Sequence, residues 1–598
     1  MAIDLREDLD VMVPMRDGVR LRADVFRPVG EGPYPTLVMR YPYSTRDGFM
    51  AMFGRQAAQQ GYAVVVQSCR GRFGSEGEFS PFHPDLADSY DTVEWAAAQP
   101  WSNGKVGMYG VSYSGMTQWT AAISRPPHLV CMVPCLCTWD WTNGGWYQND
   151  GVMTMGLGVV WSAQMTAYEA ERRGVESTLP VFADVARMID EGALGNLDRL
   201  GEFLAMQVQA VQPLLAQRPL RDIGEFRELA PWFREWCDEA PGSAFWAAID
   251  ASAHAAEIDL PVLHVVGWYD YFVKGGLHAY TTLAQAAATD ATRGGQRLLA
   301  GPWNHNGGPS RPDAGWNAGF FFDFSAESVM MRFLAEHLKG EPQPAGTAPV
   351  QIYVMGENEW RGEQEWPLAR TRWTPLHLHP EGLLPAEVPG VSEPDGYTYD
   401  PADPVPGPIA VGPTFGDPAD LRPNAARADV LTFVSAPMSA DTEITGPVKV
   451  ELWVSSSAVS TDFVATLAEE FVDGTVVPLC QGVVRLGGHG RAHTPGVATM
   501  HEIDLAATSV VVKAGHRLHL HIASSEYPTY EPNPNTGGRI VLSATVDGAD
   551  YGDAVKTGDT AMRTALHAAG IGTEAWNHVP RHIRIECTKV EAEELANA

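Results

Sequence analysis

Residues 105–123 read Lys105-Val-Gly-Met-Tyr-Gly-Val-Ser-Tyr-Ser-Gly-Met-Thr-Gln-Trp-Thr-Ala-Ala-Ile123, an apolar run that passes through small residues into a helix-compatible segment. This order predicts a strand, a sharp turn and a helix, with Ser112 at the tip of the turn. Such an elbow exposes one hydroxyl above the carboxyl edge of a parallel sheet, where a serine is usually a nucleophile. The stretch therefore indicates both a fold class and a site.

The turn departs from the strict G-x-S-x-G spelling. Ser112 has Gly110 two residues before it but Ser114 two residues after it. The elbow needs small side chains at both positions, and serine meets that need. Ser114 is a poorer candidate for the nucleophile, because its own second neighbour is the bulky Met116. Short motifs of this kind are frequent by chance, so the flanking strand and helix carry the argument.

Short apolar runs alternate with helix-like segments in the first third of the chain. Asp17-Gly18 has the composition of a hairpin turn, and Asp88–Gln99 that of a helix. Strands that alternate with helices predict βαβ units and a mostly parallel sheet, hence an α/β fold. The runs with strand character are Thr36–Met39, Tyr62–Val66, Val106–Tyr109 and Val130–Cys135.

The pattern changes from about Trp146 to Ala244, where helical periodicity prevails and no strand is convincing. A helical block inserted into an α/β domain predicts a cap over the site. The clearest helical runs in this block are Val181–Ile189 and Leu200–Leu215, after which strand-like runs resume at Val262–Val266 and Arg297–Ala300 and a closing helix follows at Glu327–Leu338.

A third character begins at about Val350, where strand-like runs, several with period two, are separated by Pro- and Gly-rich connections such as Pro401–Pro413. This is typical of a β sandwich or jelly roll. The runs are Gln351–Met355, Val448–Val454, Phe463–Ala468 and Arg517–Ile522. The predicted layout is an α/β core in two parts (1–145 and 245–349), a helical cap (146–244) and a β jelly-roll domain (350–598).

Composition limits the classes of partner. The chain of 598 residues exceeds what one core can organise, and its net charge of −31 argues against nucleic acid and anionic membranes. The seven cysteines form no disulfide framework, and Cys131, Cys135 and Cys137 lie in an apolar run typical of core cysteines rather than of a metal site. The N-terminal segment shows no apolar signal core, and no apolar run is long enough to span a bilayer. We therefore expect a cytoplasmic location.

Ester or amide hydrolysis by serine also needs an imidazole base and a carboxylate that holds its tautomer. In α/β hydrolases the chain order is serine, acid, histidine. Asp270 follows the strand Val262–Val266, and His305 follows the strand Arg297–Ala300. Alone, Asp270 would fit a helix cap and His305 an exposed loop residue. Together they place an acid and a base in the right order at consecutive strand ends, which predicts a triad with Ser112.

Other titratable residues fit less well. His264 falls inside a strand and fits the core, while His83 precedes the elbow and is in the wrong order. His519 and His521 alternate along a strand of the β-rich region. Asp88 and Asp91 open a helix, which favours capping or a dipole interaction.

The oxyanion of the reaction needs two hydrogen-bond donors. One is the backbone N–H after the nucleophile, which belongs to Tyr113. The loop after an early strand reads Arg40-Tyr-Pro-Tyr-Ser44 and lacks a glycine-rich donor, so a side-chain donor is expected, with Tyr43 and Tyr41 as the candidates. Pro42 stiffens the loop between them.

Several strings together resemble the cocaine esterase group of serine hydrolases, which share a fold with Xaa-Pro dipeptidyl-peptidases and α-amino acid ester hydrolases. The resemblance runs in order over nearly the whole chain. Its strings are Arg40–Tyr43, Arg70-Gly-Arg-Phe-Gly-Ser-Glu-Gly77, Gly107–Trp119, Gly267-Trp-Tyr-Asp-Tyr-Phe272 and Gly301-Pro-Trp-Asn-His305.

The resemblance implies roles for these residues. It implies Ser112 as nucleophile, Asp270 as acid and His305 as base. It also implies that Tyr43, rather than Tyr41, joins the Tyr113 N–H at the oxyanion. It further implies an aromatic acyl pocket, and the residues that would line it, which by themselves also fit a packed core, are Trp146, Trp161 and Phe272. Ser114 and Tyr271 depart from the family pattern and would reshape the pocket.

Three functions remain open from sequence. The first is a serine carboxylic-ester hydrolase acting through an acyl-enzyme on a small aromatic or hydrophobic acyl ester. The second is an Xaa-Pro dipeptidyl-peptidase or α-amino acid ester hydrolase, which would need carboxylates near the pocket, with Asp150, Glu169 and Glu171 as candidates. The third is a non-catalytic binding protein with a galactose-binding-like β-domain. The partner is a small-molecule ester, no metal or organic cofactor is required, and monomer and homodimer both remain open.

Overall fold

The fold is seen in a computed structural model, whose description covers most of the chain. Its strands are β1 (Leu5–Pro14), β2 (Arg20–Pro28), β3 (Tyr34–Tyr41), β4 (Ala63–Ser68), β5 (Ser102–Val111), β6 (Leu129–Cys135), β7 (Tyr147–Gln148), β8 (Val152–Met153), β9 (Leu263–Tyr269), β10 (Arg297–Asn304), β11 (Val350–Val354), β12 (Glu359–Glu363), β13 (Arg372–His379), β14 (Gly382–Pro385), β15 (Leu431–Val434), β16 (Thr442–Val454), β17 (Thr461–Glu470), β18 (Val476–Leu486), β19 (Thr499–Val512), β20 (Arg517–Ala523) and β21 (His582–Cys587).

The α-helices lie mainly in the first 340 residues. They are α1 (Phe49–Gln59), α2 (Asp85–Ala97), α3 (Tyr113–Ser124), α4 (Met155–Arg173), α5 (Pro231–Asp238), α6 (Ala244–Ala247), α7 (Val273–Ala286), α8 (Asp290–Gly294), α9 (Val329–Lys339) and α10 (Arg422–Ala425). The structure describes residues 3–30, 32–43, 49–148, 151–175, 211–308, 310–321, 323, 325–379, 382–385, 394–407, 418–488, 492–537 and 582–587.

A ten-stranded sheet forms the centre of the first 363 residues, with the order β1-β2-β4-β3-β5-β6-β9-β10-β11-β12. The neighbours from β4 to β11 pair in parallel, whereas the outer strands β1, β2 and β12 pair antiparallel. The hairpin predicted at Asp17-Gly18 is confirmed, because Pro14 pairs with Arg20 across it. The predicted α/β fold with a mostly parallel sheet is therefore correct.

Side chains of the central strands point alternately to the two faces of the sheet, and a layer of helices covers each face. Leu37 and Val64 face the core that α1 and α9 cover, while Val38 and Val65 face the core that α2 and α3 cover. Successive side chains of a strand point to opposite faces, so a strand buried on both sides is apolar throughout. This is why the apolar runs of these strands are continuous in the sequence and do not alternate with polar residues.

The β-rich part contains two further antiparallel sheets. Their strand orders are β14-β13-β21-β16-β19 and β15-β20-β17-β18. One apolar core joins them to the α/β part, because Val266 and Trp268 of β9 lie in the same cluster as Val450 and Leu520. Tyr269 also donates from its hydroxyl to the carbonyl of Pro478, at 3.0 Å.

Two sequence-based assignments need correction. The strand predicted at Gln351–Met355 is β11, and it pairs with β10 in the ten-stranded sheet rather than with the β-rich part. The period-two pattern could not reveal this, because it reports which face is buried and not which sheet a strand joins. The 146–244 block contains the short pair β7–β8, whose two-residue strands are too brief to leave a periodic signal.

Apart from the β7–β8 pair, the regular structure described in the inserted block is helical. Helix α4 has 19 residues and is followed by Gly174, whose φ of 62° suits a left-handed cap. The run Val181–Ile189 and most of Leu200–Leu215 lie outside the described residues. Within the described part of the chain, no helix has the length and apolar character needed to cross a membrane.

Candidate active site

Ser112 occupies a strained turn between β5 and α3. Its φ and ψ are 55° and −119°, a conformation that a non-glycine residue rarely adopts. Gly110 has a φ of +149°, and a Cβ built there would lie 2.4 Å from the Cβ of Ser114. The turn is therefore possible only with glycine at 110 and a small residue at 114, which is the steric requirement of an elbow.

His305 and Asp270 meet at the carboxyl ends of two paired strands. Asn304 at the end of β10 pairs with Tyr269 at the end of β9, so the next residue of each strand enters the same space. His305 Nδ1 lies 2.7 Å from Asp270 Oδ1, and His305 Nε2 lies 3.0 Å from Ser112 Oγ. The structure thus brings these three predicted residues into one hydrogen-bonded chain.

Tyr41 and Tyr43 touch each other edge-on, with 4.6 Å between ring centroids, but they pack against different apolar clusters. Tyr43 packs with the core that contains Tyr113 and Trp161, while Tyr41 packs with the core under α1. The Trp161 indole N–H donates to the Tyr43 hydroxyl at 2.7 Å. Burial raises the pKa of Tyr43 to about 12, so the phenol keeps its proton through the ordinary alkaline range.

Tyr113 is the first residue of α3, where a backbone N–H has no acceptor one turn earlier in the helix. Its side chain points away into a buried polar cluster. The hydroxyl donates to Asp85 at 2.7 Å and accepts from the N–H of Phe82 at 3.2 Å. Asp85 also receives Arg40 Nη1 at 2.6 Å. Burial, the largest influence, raises the pKa of Asp85, while the Arg40 charge opposes that rise.

The predicted pocket residues Trp146, Trp161 and Phe272 are all buried. The rings of Phe272 and His305 are 5.3 Å apart in an edge-on contact, and those of Trp146 and Trp161 are 5.9 Å apart. Tyr271, one of the two departures from the family pattern, has its ring 6.2 Å from His305. Ser114, the other, is 1% exposed and belongs to the packing of the elbow.

The sequence did not single out three further aromatic residues of the same cluster. The ring of Trp236 on α5 lies 4.9 Å from that of Trp146, and Phe82 stacks on Tyr113 with 4.6 Å between ring centroids. Trp141 lies 4.0 Å from Phe82. Their sequence neighbourhoods resemble ordinary core segments, so only the fold identifies them.

The remaining candidates lie elsewhere. His264 is buried with its Nε2 3.0 Å from Gln296 Oε1, and burial lowers its pKa to about 4. His83 Nε2 contacts the carbonyl of Phe245. His519 pairs with Glu470 in the β-rich part. In the described ranges no three His, Cys, Asp or Glu side chains form a group that could hold a metal ion.

The acidic residues considered for amine recognition behave differently from one another. Asp150 lies outside the described residues. Burial alone would raise the pKa of the Glu169 carboxyl, but the bonds from Arg172, at 2.6 Å, and from Arg173 together lower it. Glu171 is exposed.

Asp88 is not a cap but a buried partner of Arg70, at 2.6 Å.

Comparison with protein families covers most of the chain. The model for the X-Pro dipeptidyl-peptidase (S15 family) matches residues 17–307. The model for the X-Pro dipeptidyl-peptidase C-terminal non-catalytic domain matches residues 345–570. Residues 308–344, which include α9, lie between the two matches.

Relatives of known name are similar over nearly their whole length. A cocaine esterase from a Rhodococcus species is 36% identical over 560 residues, which is 89% of this chain and 93% of that protein. A putative serine esterase of Mycobacterium bovis is 25% identical over 86% of this chain and 90% of its own.

Solved structures share the fold. An α-amino acid ester hydrolase has a TM-score of 0.71 at 23% identity, covering 98% of this chain and 97% of that one. An aminopeptidase from a marine sediment archaeon has a TM-score of 0.73 at 21% identity with the same coverage. At these identities the likeness concerns the fold alone.

Proposed function

Because the chain belongs to the cocaine esterase-like serine hydrolases, which are related to the X-Pro dipeptidyl-peptidases, we propose that it hydrolyses carboxylic esters through an acyl-enzyme intermediate. The observation that carries this proposal is the bonded chain from Ser112 Oγ through His305 to Asp270. A nucleophile, a base and an orienting carboxylate in this arrangement are the parts that acyl transfer by serine requires.

In the proposed mechanism Ser112 Oγ attacks the ester carbonyl while His305 Nε2 takes the hydroxyl proton. Asp270 accepts the Nδ1–H of His305, which fixes the tautomer and stabilises the imidazolium. His305 then gives the proton to the leaving alcohol, and the acyl group stays on Ser112. A water activated by His305 releases the acid in the second half of the reaction.

The developing oxyanion needs donors aimed at it, and we assign the Tyr43 hydroxyl and the Tyr113 N–H to this role. Tyr43 shares a core with Tyr113, and its phenol stays protonated because burial raises its pKa. Loss of one donor of this kind typically raises the activation barrier by about 3–4 kcal/mol.

We propose that the acyl group lies against Trp146, Trp161 and Phe272, which favours small aromatic or hydrophobic acyl chains. All three rings are buried, and Phe272 touches the His305 ring. An aromatic wall recognises an apolar acyl group by burial and offset stacking. The alcohol part of the substrate is left open by these residues.

A second candidate is an enzyme that recognises a free amine, because the family model that matches residues 17–307 is named for X-Pro dipeptidyl-peptidases. Such a site needs a carboxylate available to an ammonium group. Glu169 is already neutralised by Arg172 and Arg173. This favours the simple ester over the amino-acyl substrate.

The finer architecture is also proposed here. We assign α4, α5 and the neighbouring segments to a cap over the site, within about residues 146–244. The sheets from β13 onward form the proposed galactose-binding-like jelly roll, and the two-part α/β core extends to Glu363 because β11 and β12 belong to its sheet. A cytoplasmic location, a small-molecule ester as partner and either a monomer or a homodimer complete the proposal.

The test compares the parent protein with Ser112→Ala on p-nitrophenyl acetate, with circular dichroism to establish folding. We expect folded protein with turnover at the background rate. The substitution Ser114→Ala is the matched control and keeps measurable turnover. Undiminished turnover by Ser112→Ala would refute the assignment.

The choice between ester and amino-acyl substrates needs a panel. A simple aryl ester, a phenylglycine ester and an Ala-Pro-anilide are assayed side by side, and each amino substrate is repeated after acetylation of its amine. We expect the aryl ester to have the highest kcat/KM. A preference for the amino substrates that disappears on acetylation would favour the second candidate.

A further inference from the structure

The hydrogen bond between Trp161 and Tyr43 has only one possible direction. An indole nitrogen can donate but not accept, so the Tyr43 oxygen is the acceptor at 2.7 Å. Among the residues that the structure describes, this is the one hydrogen bond of the Tyr43 hydroxyl. Within those described residues the phenol's own proton has no acceptor, and its O–H bond points away from the indole N–H.

The main chain beside Tyr43 is also held from α4. The buried Arg72 donates from Nε to the carbonyl of Pro42 at 3.1 Å, and its Nη2 lies 3.0 Å from Met165 Sδ. Trp161 and Met165 are one turn apart on α4 and so project from the same face. Helix α4 therefore contacts the Tyr43 hydroxyl through Trp161 and, by way of Arg72, the main chain at Pro42.

We propose that Trp161 is a positioning residue that orients the Tyr43 hydroxyl proton toward the oxyanion, in addition to forming part of the acyl pocket. This inference rests on the proposed function, and specifically on Tyr43 as an oxyanion donor. Preorganised donors stabilise a transition state because they need no reorientation when charge develops. A phenol free to rotate would have to be fixed in each turnover.

Two electrostatic influences fit this arrangement. The Trp161 bond and the positive charge of Arg72 both act to lower the pKa of Tyr43, against the larger upward effect of burial. Because burial is the larger effect, the net pKa is raised and the phenol stays protonated and able to donate. The indole N–H thus acts on the direction of the proposed donation.

The proposal separates two properties of one side chain. The Trp161 ring contributes to substrate binding, whereas its N–H acts only through Tyr43. Trp161→Phe keeps an aromatic ring without the N–H. Replacement of Trp161 by β-(3-benzothienyl)alanine keeps the bicyclic shape and substitutes sulfur for the N–H, which protects the test against a packing defect.

The experiment measures kcat and KM on p-nitrophenyl acetate for the two Trp161 variants, for Tyr43→Phe and for the double variants. We expect the Trp161 variants to lose roughly tenfold in kcat and Tyr43→Phe roughly 10²- to 10³-fold, as for loss of an oxyanion donor. For the benzothienyl variant, KM should stay within about twofold. In the double variants, loss of the N–H should cost nothing beyond Tyr43→Phe.

Trp232 provides the matched control. It is buried, and its Nε1 has no hydrogen-bond partner in the described structure. The same two replacements at Trp232 should leave kcat unchanged. Equal losses at both tryptophans, or full additivity of the Trp161 and Tyr43 changes, would overturn the proposal.

The results also separate a failure of this inference from a failure of the proposed function. If Ser112→Ala is inactive but Tyr43→Phe retains its parent kcat, the hydrolase assignment stands and the positioning role is refuted. If Ser112→Ala is active, the proposed function itself fails. Coupling confined to Trp161 and Tyr43 supports both.

Discussion

His305 Nδ1 lies 2.7 Å from Asp270 Oδ1, and the Asp270 side chain is only 1% exposed. The contact follows directly from the sheet, since the two residues come next after Asn304 and Tyr269, which pair in the parallel register of β10 and β9. A buried carboxylate at this distance fixes the imidazole with its other nitrogen toward Ser112.

Asp270→Asn should reduce kcat on p-nitrophenyl acetate by roughly 10³- to 10⁴-fold, because an amide can donate to Nδ1 and favour the wrong tautomer. The amide has nearly the shape of the carboxylate, so the fold should persist. Steady-state kinetics with circular dichroism as a folding check would test this. A loss below about tenfold would show that Asp270 does not orient the base.

The sequence predicted the strands that position this site because their signals are local. An apolar run followed by a small-residue turn identified β5 and Ser112, and the acid and base each followed a run of the same kind. Chain order and parallel pairing then placed Asp270 beside His305. The core strands were correct within a few residues at each end.

Features that depend on distant partners were not predictable in this way. The residues alone left Tyr41 and Tyr43 as alternatives, and what marks Tyr43 in the structure is the bond that its hydroxyl accepts from Trp161, a residue of the inserted block. The sequence of β11 was assigned to the β-rich part because hydrophobic periodicity does not identify the strand with which it pairs. Trp236 joined the cluster around Trp146 only through the folding of the inserted block.

Tyr113→Phe should lower the free energy of unfolding by about 1.5–3 kcal/mol, since it removes a hydrogen bond to the buried Asp85 carboxylate. Urea denaturation would measure the change. Tyr62→Phe is the matched control, because the Tyr62 hydroxyl is buried without a hydrogen-bond partner in the described ranges. Equal destabilisation by both would contradict the importance of the Asp85 contact.

Gly110→Ala should destabilise the protein by at least about 2 kcal/mol and reduce turnover, because its Cβ would meet the Ser114 Cβ at 2.4 Å in a backbone conformation that alanine avoids. Adding Ser114→Gly should restore only part of the loss, since main-chain atoms of residue 114 remain 3.2 Å away. Gly294→Ala, with open space around it, should be neutral or stabilising. Denaturation curves that do not separate Gly110→Ala from Gly294→Ala would argue against a strained elbow.

Glu526→Gln should stabilise the protein at pH 8 but much less at pH 5. Burial raises the pKa of Glu526 from 4.5 to about 8, so between these values the folded protein retains a proton that the unfolded chain has released. Stability therefore falls as pH rises through this window, and the glutamine removes a penalty on the order of 4 kcal/mol at pH 8.

The measurement is the difference in unfolding free energy between Glu526→Gln and the parent from pH 5 to pH 8. Glu171→Gln controls for the loss of a negative charge, because Glu171 is exposed. A difference for Glu526→Gln that stays constant across the window would contradict the raised pKa.

The central claim is that Ser112 is the nucleophile of a serine hydrolase, and covalent labelling tests it most directly. The protein is incubated with a fluorophosphonate, and the modified peptide is identified by mass spectrometry. We predict one adduct, on Ser112, that is absent from folded Ser112→Ala and strongly slowed in Asp270→Asn. An adduct on another residue, or undiminished labelling of Ser112→Ala, would contradict the account.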